Sequence, residues 1–163
     1  MDRLDVRHYE DQVAERAADA GITLDIDVFA LALNLVRSAN LLISELEQEI
    51  YRSRGVSYAG FRILFALWVV GPTEPKRLAT LASVTRSSTS SVLNTLERDG
   101  FVERRRESED RRLVTTQLTA SGLQLVLETL QEHQELQGRW ASPLSHEERL
   151  TMNSLLHKLM PRG

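Results

Sequence analysis

Between Thr85 and Arg98 the chain carries a run of hydrogen-bonding side chains: Thr85, Arg86, Ser87, Ser88, Ser90, Ser91, Asn94 and Arg98. Hydroxyls, a carboxamide and guanidinium groups without a neighbouring base or nucleophile make poor bond-making machinery. They suit recognition, because hydroxyls and guanidinium groups bond phosphate oxygens, and Asn and Arg can meet base edges. On a helical wheel Ser87, Ser91, Asn94 and Arg98 share one face, and Thr89, Val92, Leu93 and Leu96 share the opposite one. The second face is expected to pack inward. The first is polar and mostly short, so it can enter a major groove without steric obstruction. Free backbone N–H groups at the start of the helix point toward any anion there. Asn94 could pair with adenine, and Arg86 could reach phosphate or guanine; residue type does not choose between these targets. A face like this can also be merely solvated, and the neighbouring segments decide the reading.

Those segments are basic. Arg104, Arg105, Arg106, Arg111 and Arg112 lie within nine positions, beside Glu103, Glu107, Glu109 and Asp110. Phe101 to Arg106 and Leu113 to Leu118 are rich in strand-compatible residues, and the polar stretch between them predicts a β-hairpin. A hairpin tip carrying Arg can insert into a narrow minor groove, where negative potential is strongest. Asp110 precedes Arg112 by two residues, and across a turn its carboxylate could orient that guanidinium. The whole chain has a formal net charge of −3. From Lys76 to Arg112, however, nine Lys or Arg stand against six Asp or Glu. A basic middle between acidic ends is compatible with a nucleic-acid partner, because salt screens charges beyond about 10 Å.

Other chemistries find little support. The absence of cysteine removes disulfides, thiolate metal sites and thiol redox sensing. His8, His133, His146 and His157 form no pair with metal-ligand spacing. No GxSxG, Gly-rich phosphate loop or HExxH occurs, so neither an enzyme nor a cofactor or metal site is expected. The charged N-terminus has no apolar signal core, and no stretch is read as reaching the roughly 20 apolar residues of a membrane span, Phe61 to Val70 being the longest candidate. A cytoplasmic protein without membrane contact is the expectation.

The elements that must position these residues follow from periodicity and caps. Asp2 to Ala20 is predicted helical, ended by Gly21. Asp25 to about Arg54 reads as one long helix, capped by Asp25 or Asp27, with Val28, Leu31, Leu35, Ala39, Leu42, Leu46 and Ile50 at helical spacing. Phe29, Leu33, Val36 and Ile43 add a second stripe, so this helix needs cover on more than one side, for which a second subunit is an economical source. Ser57 starts a helix to about Val70, broken by Gly71-Pro72. A short helix from Pro75 and another capped by Thr85 and ending at Asp99-Gly100, joined at Ser83-Val84, make a helix-turn-helix. After the hairpin, Thr119 caps a helix from Ala120 to about Gly138. Trp140 to Leu144 are expected to break the chain before a last helix with a Ser145/Glu148 capping box, running to about Met160 with Leu155, Leu156 and Leu159 as its apolar positions.

The stretch LATLASVTRSSTSSVLNTLERDGFVERRRESEDRRLVTTQLTASG resembles the core of the MarR family of bacterial winged-helix regulators. The matching pieces are Leu78-Ala79, Leu96-Glu97 through Gly100-Phe101-Val102 to Arg104, Asp110-Arg111-Arg112, and Leu118-Thr119 through Gly122. The flanking helices fit as well, from about residue 25 onward. The resemblance implies a mainly α winged helix-turn-helix fold with a small β-hairpin wing and N- and C-terminal dimerisation helices. It divides the chain into an arm and dimerisation helix (1–54), a DNA-binding lobe (55–119) and C-terminal dimerisation helices (120–163). It implies a homodimer on a palindromic double-stranded DNA site, with Arg86 to Asn94 in the major groove and Arg112, held by Asp110, in the minor groove. Arg105, Arg106 and Arg111 join the expected DNA contacts. It further implies a repressor released by a small aromatic or phenolic effector. The N-terminal extension, longer than in many members, carries Arg7, His8, Tyr9 and Arg16 as candidate effector contacts, although a solvated arm fits equally. A winged helix can alternatively serve as a protein-interaction or dimerisation module; such modules usually precede a catalytic domain, and the basic middle favours DNA.

Overall fold

Backbone groups at helix ends need partners, and Asp25, Ser57, Thr85, Thr119 and Ser145 each supply one by accepting a backbone N–H at a helix start. The computed structural model describes residues 6–106 and 114–160, which fall into two units, Met1–Ser44 and Glu45–Gly163.

In the first unit, α1 (Val6–Asp19) ends where Gly21 takes φ 69° and the amides of Gly21 and Ile22 turn back to the carbonyls of Ala18 and Ala17. The expected helix from Asp2 is described from Val6 onward, and residues 2–5 lie outside the described residues. Asp25, rather than Asp27, caps α2 (Ile26–Leu46), its Oδ1 accepting the Val28 amide at 3.2 Å. Asn34 donates to Glu10 at 2.6 Å, and the Arg37 guanidinium lies 4.4 Å from the Tyr9 ring centroid, tying α1 to α2. Val28, Leu31, Val36 and Leu41 of α2 are 57–63% exposed, so its apolar stripes await a cover.

Two expectations about this helix need correction. It does not run as α-helix to Arg54: after Leu46 it loosens into a π-helical turn, Glu47–Tyr51. The continuous helix Ile26–Tyr51 also has the length and apolarity to cross a membrane, which the sequence reading denied. Asn34, Arg37 and Asn40 make it look interrupted in sequence, but a helix collects them among long apolar stripes.

In the second unit, Ser57 caps α3 (Tyr58–Val70) by accepting from Gly60 N, while Glu47 accepts the Tyr58 amide at 2.7 Å. Pro75 opens α4 (Pro75–Leu81), and α5 (Arg86–Arg98) follows after a tight turn. Strands β1 (Val102–Arg106) and β2 (Val114–Leu118) pair antiparallel, from Val102 opposite Leu118 to Arg106 opposite Val114. Thr73 adds a bridge to Thr116, with N–H···O bonds of 3.1 and 2.9 Å in the two directions. The loop before α4 is thereby stitched to the hairpin. Helix α6 (Ala120–Trp140) passes the expected stop at Gly138, and its end at Ala141 shortens the expected break. The capping box opens α7 (His146–Leu159) as expected.

The core gathers Leu46, Ile50 and Tyr51 of the chain entering the lobe, Phe61, Ile63, Leu64 and Leu67 of α3, Leu78 of α4, Leu93 and Leu96 of α5, Val102, and Leu125, Val126 and Leu136 of α6. Helix α7 contributes no buried residue; Leu150, Leu155 and Leu159 are exposed.

Candidate nucleic-acid interface

The turn between α4 and α5 sets the angle of the interface. Ser83 adopts φ 48°, the left-handed region, and the amides of Ser83 and Val84 return to the carbonyls of Thr80 and Ala79. This is the Schellman stop usually given to glycine. The chain then re-enters helix at Thr85, whose Oγ1 accepts the Ser88 amide at 3.2 Å. The same hydroxyl lies 3.1 Å from Ser87 Oγ and donates to Ser88 Oγ at 2.8 Å. Ser90 donates to the Arg86 carbonyl at 3.2 Å.

The two faces of α5 divide as the wheel predicts. Thr89, Leu93 and Leu96 are buried and Val92 half-buried, while Thr85, Arg86, Ser87, Ser88, Ser90, Ser91, Asn94 and Arg98 are exposed. Arg98 pairs with its neighbour Asp99 at 2.9 Å. At the far end Gly100, φ 79°, closes α5 and sends the chain into β1.

Hairpin and helix are cross-linked by a residue outside the expected contact set. Arg104 Nη2 donates to Asn94 Oδ1 at 2.6 Å, and its Nε lies 3.5 Å from Glu97 Oε2. The available signal was strand parity: Arg104 shares a face with buried Val102, whereas Arg105 points the other way. Arg105 instead donates from Nε and Nη2 to Glu103 Oε1, at 3.1 and 2.9 Å, where Gln117 also donates at 2.6 Å. Arg106 is described only as backbone, opposite Val114. Asp110, Arg111 and Arg112 lie outside the described residues.

Arg7, His8, Tyr9 and Arg16 all lie on α1. A cavity of about 660 Å³ occurs within the second unit between α3, α4 and α6. Tyr58, Phe61 and Phe65 give it aromatic walls; Arg62, His133 and Gln134 give it polar ones. Sequence reasoning missed it because its lining comes from three separated stretches with no local motif. Among the described residues no group of three metal-ligating side chains occurs.

His133 links this cavity to the core. The fully buried Tyr51 hydroxyl is hydrogen-bonded to His133 Nε2, and both rings pack on Phe61, with centroids 5.2 and 4.8 Å away. Burial pushes the Tyr51 hydroxyl well above its ordinary range and holds His133 below the imidazole range, with Glu132 opposing the second effect. Because folded His133 resists a proton that the unfolded chain takes up, its contribution to stability is constant above about pH 6.5, the unfolded value, and is lost as pH falls below it. Melting temperatures between pH 8 and pH 5 are expected to fall less in His133→Gln than in wild type. Parallel curves would contradict the burial argument.

Residues 56–114 match the family model described as the MarR family. The chain is 31% identical over 137 residues to the HTH-type transcriptional regulator YwaE of Bacillus subtilis, covering 84% of this chain and 80% of YwaE. Its fold is similar to that of a mutant MarR from E. coli complexed with operator DNA, with a TM-score of 0.77 at 24% identity, covering 85% and 99% of the two chains. It is also similar to the organohalide-sensing regulator RdhR in its 2,4-dichlorophenol-bound form, with a TM-score of 0.76 at 20% identity, covering 84% and 80%.

Proposed function

The chain belongs to the MarR family of transcriptional regulators and is not an enzyme, and on that premise we propose that it is a cytoplasmic repressor that binds a palindromic operator as a homodimer and is released by a small aromatic or phenolic effector. The observation that carries the DNA reading is the exposed Ser/Asn face of α5, set out by the Ser83 turn and braced against the hairpin by Arg104. In this reading α5 lies in the major groove, Thr85, Arg86, Ser87 and Ser88 hold phosphates at its N-terminus, and Arg112 with Asp110 reaches the minor groove. Residues 1–54 and 120–163 serve dimerisation around the lobe 55–119. Two copies then meet half-sites about 10 bp apart, centre to centre. That the similar MarR is found in complex with operator DNA supports DNA as the partner.

The cavity beside His133 is the better candidate for the effector. Its volume lies within the roughly 300–1,000 Å³ of small-molecule sites, and its aromatic walls with few polar groups suit a ring bearing a hydroxyl or carboxylate. The phenol bound by the similar RdhR supports that chemistry.

Electrophoretic shift with the promoter DNA beside the protein's own gene, repeated with a panel of aromatic acids and phenols, tests both halves. Affinity is expected to drop by orders of magnitude between 50 and 200 mM salt, as phosphate contacts release counterions. Arg112→Ala is expected to bind more weakly with unchanged melting. A flat salt response, or wild-type binding by Arg112→Ala, would remove the backbone or the wing contact respectively.

A further inference from the structure

We infer that the Asn94 carboxamide and the Arg104 guanidinium act as one reading element that selects guanine over adenine at its position in the half-site. This rests on α5 entering the major groove as proposed above. Arg104 Nη2 stands 2.6 Å from the Asn94 side chain. A guanidinium only donates, so the atom facing it is the amide oxygen and the amide N–H groups turn elsewhere. An unencumbered Asn reads adenine with two bonds, accepting from N6 and donating to N7. Here one lone pair of the amide oxygen is already held by a short, charge-assisted bond from Arg104. Bringing the adenine amino group to that oxygen would set it against a guanidinium with nothing but donors to offer. The pair therefore presents N–H groups, and guanine answers with two acceptors, O6 and N7. Thymine has one acceptor beside a methyl group, and cytosine presents a donor.

The element is held in place. Glu97 Oε2 lies 3.5 Å from Arg104 Nε, so the guanidinium is held at two of its nitrogens by α5. On the strand side Arg104 is registered opposite Thr116, the residue that bridges to Thr73. Asn94 is exposed and the Arg104 side chain is 35% exposed, so both are accessible to a base edge.

Selection from a randomised half-site library, with bound DNA sequenced, tests the inference. The wild type is expected to prefer guanine to adenine at one position by at least about five-fold, the lower end for a well-made base contact. Asn94→Ala should flatten that position alone. Arg104→Met frees the amide oxygen and should shift the position toward adenine. Asn94→Asp cannot donate and should lose the guanine preference, which keeps the test open if Arg104→Met fails to fold. Adenine at the Asn94-dependent position in wild type, or an unchanged preference in folded Arg104→Met, overturns the inference. If no position depends on Asn94 while Arg86→Ala and Ser87→Ala weaken binding, the reading pair falls and the groove assignment stands. If none of the α5 variants alters binding, the groove assignment itself fails and the pair with it.

Discussion

Gly122→Ala is expected to cost the winged lobe a large share of its stability and to lower its melting temperature. Thr119 caps α6 with its hydroxyl, accepting from Gly122 N at 3.0 Å and donating to the Gly100 carbonyl at 2.7 Å, while its own amide reaches the Phe101 carbonyl at 3.1 Å. These bonds draw the first turn of α6 onto the chain between α5 and β1. A Cβ on Gly122 would lie 2.0 Å from the Phe101 carbonyl oxygen and 3.3 Å from Leu118 Cδ2. The closer atom is backbone, so no rotamer relieves the clash. Overpacking of this kind costs about 3 kcal/mol or more, a large share of the roughly 5–15 kcal/mol that holds a domain together. For a chain of this size that corresponds to a melting temperature about 10 °C lower. Gly138→Ala is the control: nothing lies within 4 Å of its Cβ, and an alanine inside α6 should stabilise by up to about 1 kcal/mol. Equal melting of the two variants would refute the close-approach account of Gly122.

The second large effect concerns assembly. Leu155 and Leu159 of α7 are 53% and 62% exposed, so in a lone chain replacing both with Arg should be almost without cost. In the proposed dimer the same change buries unpaired charge and should separate the subunits. Sedimentation should then find the 18.5 kDa chain where wild type shows twice that mass. Binding to a two-half-site operator should weaken by about 10²–10⁴-fold, because the second half-site contact is no longer tethered to the first. An unchanged mass and affinity would exclude α7 from the dimer interface.

What the sequence revealed follows the range of the interaction involved. Ser57, Thr85, Thr119 and Ser145 are legible because a cap is a contact within one helical turn. The inward and outward faces of α5 are legible because one helix fixes both. The π-turn at Glu47–Tyr51 is not: it interrupts a stripe that still looks periodic through Ile50, and it is defined by hydrogen bonding that residue types do not encode. Arg104 was hidden among its arginine neighbours because its importance lies in a partner on another element. The cavity was invisible for the same reason, with walls that meet only when α3, α4 and α6 pack. The fate of the apolar stripes on α2 and α7 depends on what covers them, which periodicity marks as a need without supplying the cover.

The hydroxyls that open α5 are already bonded to one another, and each can reverse its proton direction as its surroundings demand. A surface of rotors tolerates many operators, whereas a carboxamide pinned by a guanidinium does not. On the proposed assignment, grip and choice are vested in different side chains. Such a regulator can drift toward a new target through one substitution while keeping its hold on DNA, so protein and operator can change in single, viable steps.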